Sequence, residues 1–236
     1  MKNIKTIKTI KTIFFDLDNT LFDHTRAERT ALVSLMKDYP EIFTDVSQEN
    51  FLHIYHKNNI QLWKQLSAGE ISAQQLKVQR FELSLKELNC DNAKSAELSQ
   101  SYFEIYSKQS FVLPNVEEIL IYLKPKYELG ILSNGFKTTQ EKKLQNIKLD
   151  SFFTYKIYSG DIGAMKPSPE IFNAATRVAK IHSFEVVYVG DSYDDDIKGA
   201  KAAGWHTIHY VPQGEFKNDG LADYEIWDLL ELKQIL

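Results

Sequence analysis

From Leu113 to the end of the chain, short apolar runs alternate with helical patterns, and this alternation is the tightest constraint on the fold. Residues 127–132, Tyr155–Tyr158, 186–189 and 206–211 read as strands, the last of them closing the series. Between them lie helical patterns. Pro114 and Asn115 open one that carries Val116, Ile119, Leu120 and Leu123. A polar, Lys-rich helix follows Gly135, and Pro167 and Pro169 precede another with Ile171, Phe172, Ala175 and Val178. Ala200, Ala202 and Ala203 sit on a helix stopped by Gly204, and residues 227–236 read as a closing helix. Strands separated by helices pair in parallel, with both sheet faces covered. Ligands of such sheets bind beyond the carboxyl ends of the strands. The expected fold is therefore a doubly wound, Rossmann-like α/β core.

One more strand stands apart, near the N-terminus. Ile10 and the run Ile13-Phe14-Phe15 lead into Asp16-Leu17-Asp18-Asn19-Thr20-Leu21-Phe22. In an extended segment, residues i and i+2 share a side, which would set Asp16 and Asp18 together and turn Leu17 to the core. Two carboxylates this close raise each other's pKa unless a cation lies between them. A hard divalent ion such as Mg²⁺ suits oxygen ligands of this kind. Upstream, residues 2–13 form a three-residue Lys-Thr-Ile repeat whose period matches neither strand nor helix, so the strand is expected to begin near Ile10.

Residues 23–111 have another texture. Pro40 and Gly69 are their only Pro and Gly. Ala27, Ala31 and Leu35, with Leu32 and Met36, keep i, i+4 spacing; Phe51, Tyr55, Leu62, Trp63 and Leu66 continue it. Ser72-Ala73-Gln74-Gln75 has the form of a capping box before Leu76, Leu83 and Leu88. Four or five amphipathic helices are expected, with Phe81, Tyr102, Phe103 and Tyr106 in their core. His53 and His56 share a helix face, but a metal site needs another ligand and none is near in sequence. The resulting organisation is a discontinuous α/β core, 1–22 and 112–236, with a helical insertion over 23–111.

The 236 residues carry a net charge of −4, which gives no electrostatic reason for binding a nucleic-acid polymer. One cysteine, Cys90, permits no intrachain disulfide and fits a reducing cytoplasm. No apolar run is long enough for a membrane span, and the Lys-rich start lacks the apolar block of a signal peptide.

Asp16, Ser133 and Asp191 each fall at the end of an expected strand, so they can converge across long sequence distances. Phosphate-ester hydrolysis needs an in-line nucleophile, a proton for the leaving oxygen and positive charge on the transferring group. Asp16 is placed to be the nucleophile, and Asp18 the general acid and then base. Ser133, Asn134 and Gly135 offer hydroxyl, amide and backbone N–H groups to phosphoryl oxygens, although Ser-Asn-Gly also describes a plain strand-to-helix turn. Lys166, in Met165-Lys166-Pro167-Ser168-Pro169, could neutralise developing charge; on its own it would read as a surface lysine. In Gly190-Asp191-Ser192-Tyr193-Asp194-Asp195-Asp196, Asp191 is the expected further metal contact. Asp194 and Asp195 suit the acidic first turn of a helix, while Asp196 could support Lys166 or a metal-bound water.

Taken in order, Asp-x-Asp-x-Thr, Ser-Asn-Gly, Lys-Pro and Gly-Asp-x₄-Asp resemble the four motifs of the haloacid dehalogenase-like phosphohydrolase superfamily, and residues 23–111 look like its helical cap. The resemblance implies an Mg²⁺-dependent phosphomonoesterase working through an aspartyl-phosphate. It implies Asp16, Asp18 and Lys166 as catalytic residues. Mg²⁺ would bind Asp16, the Asp18 carbonyl and Asp191; substrate would bind Thr20, Ser133, Asn134, Gly135 and Lys166, with Asp196 in support. Ile131-Leu132-Ser133-Asn134-Gly135-Phe136, residues 149–165 and the cap length look like the pyrimidine 5′-nucleotidase branch, which hydrolyses nucleoside monophosphates. The implied partner is a small phosphate ester, with no membrane and a monomer or weak homodimer as the assembly. A sugar-phosphate or phosphoglycolate phosphatase, or a phosphosugar mutase, is the alternative. A haloacid dehalogenase would not need Asp18, and a non-catalytic protein on this fold would need none of these residues.

Overall fold

A computed structural model describes residues 9–236. Residues 2–8 of the N-terminal repeat lie outside the described residues. The chain divides into two compact units, one running up to His24 and resuming over Ser110–Leu236, the other Thr25–Gln109.

The first unit is built on six parallel strands: β1 (Thr12–Phe15), β2 (Glu128–Ser133), β3 (Tyr155–Tyr158), β4 (Val186–Gly190), β5 (His206–Tyr210) and β6 (Tyr224–Ile226), in the order β3-β2-β1-β4-β5-β6. The order reverses direction at β1, which pairs with both β2 and β4: Phe15 lies opposite Ile131 on one side and Val189 on the other. This is the switch point at which doubly wound sheets form a crevice. β1 begins two residues later than Ile10. β6 was not expected, and residues 206–211 are not the last strand. Three residues at a sheet edge, two of them half-buried, carry too little apolar pattern to announce a strand. The closing segment is no continuous helix either. Asp228 caps a single 3₁₀ turn at Leu230 N–H, and only α10 (Leu232–Ile235) follows.

Both faces of the sheet are covered. Phe14, Leu132, Ile157 and Tyr188 point to one side, where they pack with Ile171, Phe172 and Ala175 of α8 (Pro169–Ala179), Ala200 of α9 (Lys198–Ala202) and Trp205. The intervening Ile13, Phe15, Ile131, Val187 and Val189 are also fully buried, as are Ile119, Leu120 and Leu123 of α5 (Val116–Leu123). Val178, expected inside on α8, is exposed. Helix α6 (Lys137–Asn146) and the short α7 (Ser159–Ile162) complete the connections. The ends of the insertion are held together within this unit. Phe22 and Val112 form an antiparallel bridge, and Asp23 N–H donates to Phe111 O at 3.0 Å.

The second unit consists of α1 from Thr25 onward (His24–Asp38 in full), α2 (Gln48–Ser67), α3 (Ala73–Glu87) and α4 (Ser95–Ser107). The Ser72–Gln75 capping box is present. Ala27, Ala31, Leu35, Phe51, Tyr55, Phe81 and Tyr102 are buried, and rings from three helices meet at Tyr102, which lies 5.8 Å from Tyr55 and 5.6 Å from Phe81 between centroids. Leu83 is exposed. His56 meets Glu28 at 3.5 Å and His53 is exposed; neither belongs to a group of metal-ligating side chains among the described residues.

The Phe172 ring meets Tyr188 at 5.7 Å and Trp205 at 5.4 Å, edge to face in both cases. Phe172→Ala is expected to lower stability by about 3–5 kcal/mol through lost burial and the cavity left behind. Urea unfolding followed by circular dichroism checks this, and a cost under about 1 kcal/mol would contradict the packing described.

Candidate active site

Four carboxylates and two ammonium groups gather where β1 and β4 end. β1 stops at Phe15, although Asp16 N–H still donates to Val189 O at 2.9 Å. The chain then coils. Leu17 O accepts from Leu21 N–H at 3.0 Å and from Phe22 N–H at 2.8 Å, and Asn19 takes a positive φ of 59°. Leu17 is buried, as expected.

Asp16 is held by Lys166. The Lys166 ammonium donates to Asp16 Oδ1 at 2.7 Å, to Asp196 Oδ1 at 2.6 Å and to Tyr188 Oη at 2.8 Å. Its three protons have three acceptors, and the side chain is 3 % exposed. Burial alone would lower its pKa; Asp16 and Asp196 overcome that and hold it well above the ordinary lysine value. The backbone of Lys166 is pinned too. Asn134 Oδ1 accepts from Lys166 N–H at 2.8 Å, and Asn134 Nδ2 donates to Lys166 O at 3.0 Å. A cis peptide joins Lys166 to Pro167.

Asp196 lies on one turn of π-helix (Tyr193–Ile197) that begins immediately after the β4 loop. Its Oδ2 accepts from Ser192 N–H at 3.0 Å. A Cβ on Gly190 would lie 2.3 Å from that oxygen, so only glycine lets the carboxylate come so close. Asp191 is reached from two sides: Thr20 Oγ1 donates to its Oδ1 at 3.2 Å, and its backbone carbonyl lies 3.1 Å from His209 Nε2. Ligand oxygens of Asp16, Asp191 and Asp196 fall within 4.8 Å of one another. Burial pushes Asp16 up to about 7 against the pull of Lys166, with Asp196 and Asp18 adding to the rise. Burial, with Asp16 and Asp196, likewise raises Asp191 well above the carboxylate range.

Asp18 has different surroundings. Its Oδ1 accepts from Lys143 Nζ at 2.5 Å and its Oδ2 from Gln140 Nε2 at 2.8 Å. Burial opposes ionisation, yet Lys143, then His24, and the two hydrogen bonds bring its pKa below the ordinary value. The sequence pattern put a divalent ion between Asp16 and Asp18. The cation beside the Asp18 carboxylate is instead a lysine from α6, because the turn after Phe15 replaces the extended geometry. Gln140 Nε2 also donates to Ser133 Oγ at 2.7 Å, and Gly135 N–H donates to the same oxygen at 3.1 Å.

Beyond Lys166 and Gly135, whose bonds are given above, other expected substrate contacts also bond within the protein. Thr20 is fully buried with its hydroxyl on Asp191, and both ends of the Asn134 amide serve the Lys166 backbone. Asp194 pairs with Lys198 at 2.6 Å at the surface. Sequence reasoning missed Gln140, Lys143, Tyr188 and His209. Each left a signal. Gln140 and Lys143 share the buried face of α6 with Thr139 and Leu144, and Tyr188 and His209 interrupt central apolar strands with groups that need hydrogen-bond partners.

The four motifs thus occupy one edge of one sheet. Residues 10–204 match the description of the haloacid dehalogenase-like hydrolases. The chain belongs to that family. Pyrimidine 5′-nucleotidase YjjG of Escherichia coli (strain K12) is 31% identical over 95% of this chain and 96% of its own length. A glyceraldehyde 3-phosphate phosphatase of Methanopyrus kandleri is 28% identical over 91% of each. Among solved structures, magnesium-bound YfnB from Bacillus subtilis superposes with a TM-score of 0.88 at 30% identity, covering 97% of this chain and 99% of that one. This hydrolase is a phosphatase.

The donor set fits a hard divalent cation. All three clustered ligands are carboxylates, and together they outnumber the one ammonium among them. Lys166, Tyr188 and Ser192 N–H already engage Asp196, so Asp16 and Asp191 are the side chains that would hold such an ion.

With divalent ions chelated, the folded hydrolase keeps a proton on Asp16 up to about pH 7, whereas the unfolded chain releases it near the ordinary carboxylate value of 3.8. The folded state therefore binds more protons across that interval, and stability falls as pH rises through it. Asp191 acts in the same direction. Asp18, depressed in the fold, contributes stability that is lost only as pH falls below the carboxylate range. The urea midpoint in chelator is expected to be lower at about pH 7.5 than at about pH 5; a higher midpoint would contradict the buried-carboxylate electrostatics.

Proposed function

We propose that this phosphatase is an Mg²⁺-dependent phosphomonoesterase that works through an aspartyl-phosphate and acts on nucleoside 5′-monophosphates, pyrimidine ones among them. The observation that carries the chemistry is the Lys166 ammonium, fixed on three acceptors beside Asp16. It leaves Asp16 Oδ2 to attack and holds the carboxylate in one orientation for an in-line displacement.

In the first half-reaction, Asp16 Oδ2 forms a bond to phosphorus, the ester P–O bond breaks, and the departing alkoxide takes a proton from Asp18. In the second, water loses a proton to Asp18 and attacks phosphorus, the bond to Asp16 breaks, and inorganic phosphate leaves. Asp18 as found favours the carboxylate, the form needed in the second half. The approach of an anionic phosphate raises its proton affinity for the first. The Ser133 hydroxyl, whose oxygen accepts from Gly135 N–H, has its own hydrogen for a phosphoryl oxygen. A divalent ion on Asp16, Asp191 and the Asp18 carbonyl would supply positive charge opposite the phosphate. Residues 23–111 would act as a cap that selects the leaving group.

Support for the nucleotide class comes from the likeness to the E. coli nucleotidase across nearly both full lengths. Likeness to the glyceraldehyde 3-phosphate phosphatase favours a sugar phosphate as the second reading. A haloacid dehalogenase would have no need of a carboxylate at Asp18, which is held here by Lys143 and Gln140.

The test is phosphate release from pyrimidine and purine 5′-monophosphates, sugar phosphates and phosphoglycolate, with Mg²⁺ and with excess chelator. Turnover led by pyrimidine monophosphates and lost in chelator is expected. Turnover led by a sugar phosphate or phosphoglycolate would remove the nucleotide assignment and keep the chemistry. Asp16→Asn is expected to lower kcat by at least about 10⁴-fold with the fold intact. Near-normal turnover in Asp16→Asn would remove the nucleophile.

A further inference from the structure

Helix α6 makes two contacts that the chemistry above does not use. Gln140 and Lys143 are one turn apart on its buried face, and Lys143 is 1 % exposed. A lysine is rarely buried so completely without a specific partner. Here the partner is Asp18, taken through both oxygens: Oδ1 by Lys143 at 2.5 Å and Oδ2 by Gln140 at 2.8 Å. Two contacts on one carboxylate fix its rotation as well as its place.

Gln140 does more than hold Asp18. Its Nε2 carries two protons, one directed to Asp18 Oδ2 and the other to Ser133 Oγ at 2.7 Å. Ser133 Oγ accepts a second bond from Gly135 N–H at 3.1 Å. Both lone pairs of the hydroxyl are therefore occupied, and its own hydrogen must point away from Gln140 and Gly135. The backbone is shaped to admit the amide. A Cβ on Gly135 would lie 2.3 Å from Gln140 Nε2, so any larger residue would displace it.

We propose that Gln140 and Lys143 are positioning residues that hold the Asp18 carboxylate in a single orientation toward the leaving oxygen and, through Gln140, aim the Ser133 hydroxyl hydrogen at the phosphoryl group. The proposal rests on the aspartyl-phosphate reading above. It separates the machinery into two anchors. Lys166, from the loop before α8, fixes the nucleophile, and α6, which follows β2, fixes the acid–base. The bonds of the pair to Asp18 and Ser133 direct its action to proton transfer and phosphoryl orientation.

The competing view is a buried ion pair that only stabilises the fold. Leaving groups tell the two apart. An alkyl ester needs a proton on its departing oxygen, whereas the p-nitrophenolate of p-nitrophenyl phosphate leaves without one. kcat/KM reports the steps up to phosphorylation of Asp16. The experiment compares wild type, Lys143→Met, Lys143→Arg and Gln140→Leu on p-nitrophenyl phosphate and on the fastest alkyl monoester of the panel, at saturating Mg²⁺.

For Lys143→Met, kcat/KM on the alkyl ester is expected to fall about 10–100-fold, and on p-nitrophenyl phosphate less than about threefold. Lys143→Arg, which keeps charge and donors, should recover part of the alkyl-ester loss. Gln140→Leu keeps the Lys143–Asp18 pair, so it tests the proposal even if Lys143→Met fails to fold. It should also raise KM for both esters, because Ser133 loses its orientation. The Mg²⁺ concentration for half-activation should stay within about twofold of wild type in every folded variant. Equal losses on the two esters, or no loss on the alkyl ester in Gln140→Leu, would overturn the positioning role while leaving the aspartyl-phosphate chemistry in place. Absence of metal-dependent turnover by wild type on either ester would overturn that chemistry and this proposal together.

Discussion

The Lys166 ammonium holds the catalytic edge of the sheet together. It is buried, fully hydrogen-bonded, and ties a residue after β1 to residues on and after β4. Burying an ammonium is costly unless opposite charge and acceptors surround it, and breaking one partner away would leave a bare charge in a dry site. Asp16, Asp196 and the Tyr188 hydroxyl therefore form one unit with the lysine. Gly190 admits Asp196, and the Asn134 amide fixes the loop that carries Lys166. Removing Tyr188, Gly190 or Asn134 would loosen the hold on Asp16 at one remove.

Electrostatics around this unit is deliberately unbalanced. Asp16, Asp191 and Asp196 surround one ammonium, and burial with mutual repulsion raises Asp16 and Asp191. A few ångströms of chain away, Asp18 is paired with Lys143 and depressed. Two carboxylates separated by one residue thus have opposite proton affinities, which is the arrangement that assigns different roles to like groups. The excess of negative charge at the first site is what a divalent cation would offset, while at the second Lys143 already balances the Asp18 carboxylate.

Sequence reasoning reached the sheet because strands and helices leave different periodicities, and it reached Asp16, Ser133 and Asp191 because each follows an apolar run. It went astray where local pattern and tertiary geometry part. Asp18 was read on an extended strand, but the chain turns at Leu17 and delivers the carboxylate to α6. The bonds of Thr20 to Asp191 and of the Asn134 amide to the Lys166 backbone join residues far apart in the chain, and nothing beside them in sequence announces them. β6 was invisible because three edge residues carry no alternation. Lys143 was passed over as one more charge on a polar helix, because the face it shares with Thr139, Gln140 and Leu144 holds a single strongly apolar residue.

The sequence by itself determined the class of fold, the helical composition of residues 23–111 and the identity of the acidic and basic groups at the strand ends. These depend on periodicity, turn residues and spacing, all local in the chain. Tertiary structure alone decided which groups meet. The Lys166–Asp16 bond joins residues 150 positions apart, Lys143–Asp18 joins residues 125 apart, and Thr20–Asp191 joins residues 171 apart. Their roles follow from parallel strands set side by side at the sheet's switch point and from the low dielectric they share there. Neither the pairing nor the burial is a property of any short stretch of chain.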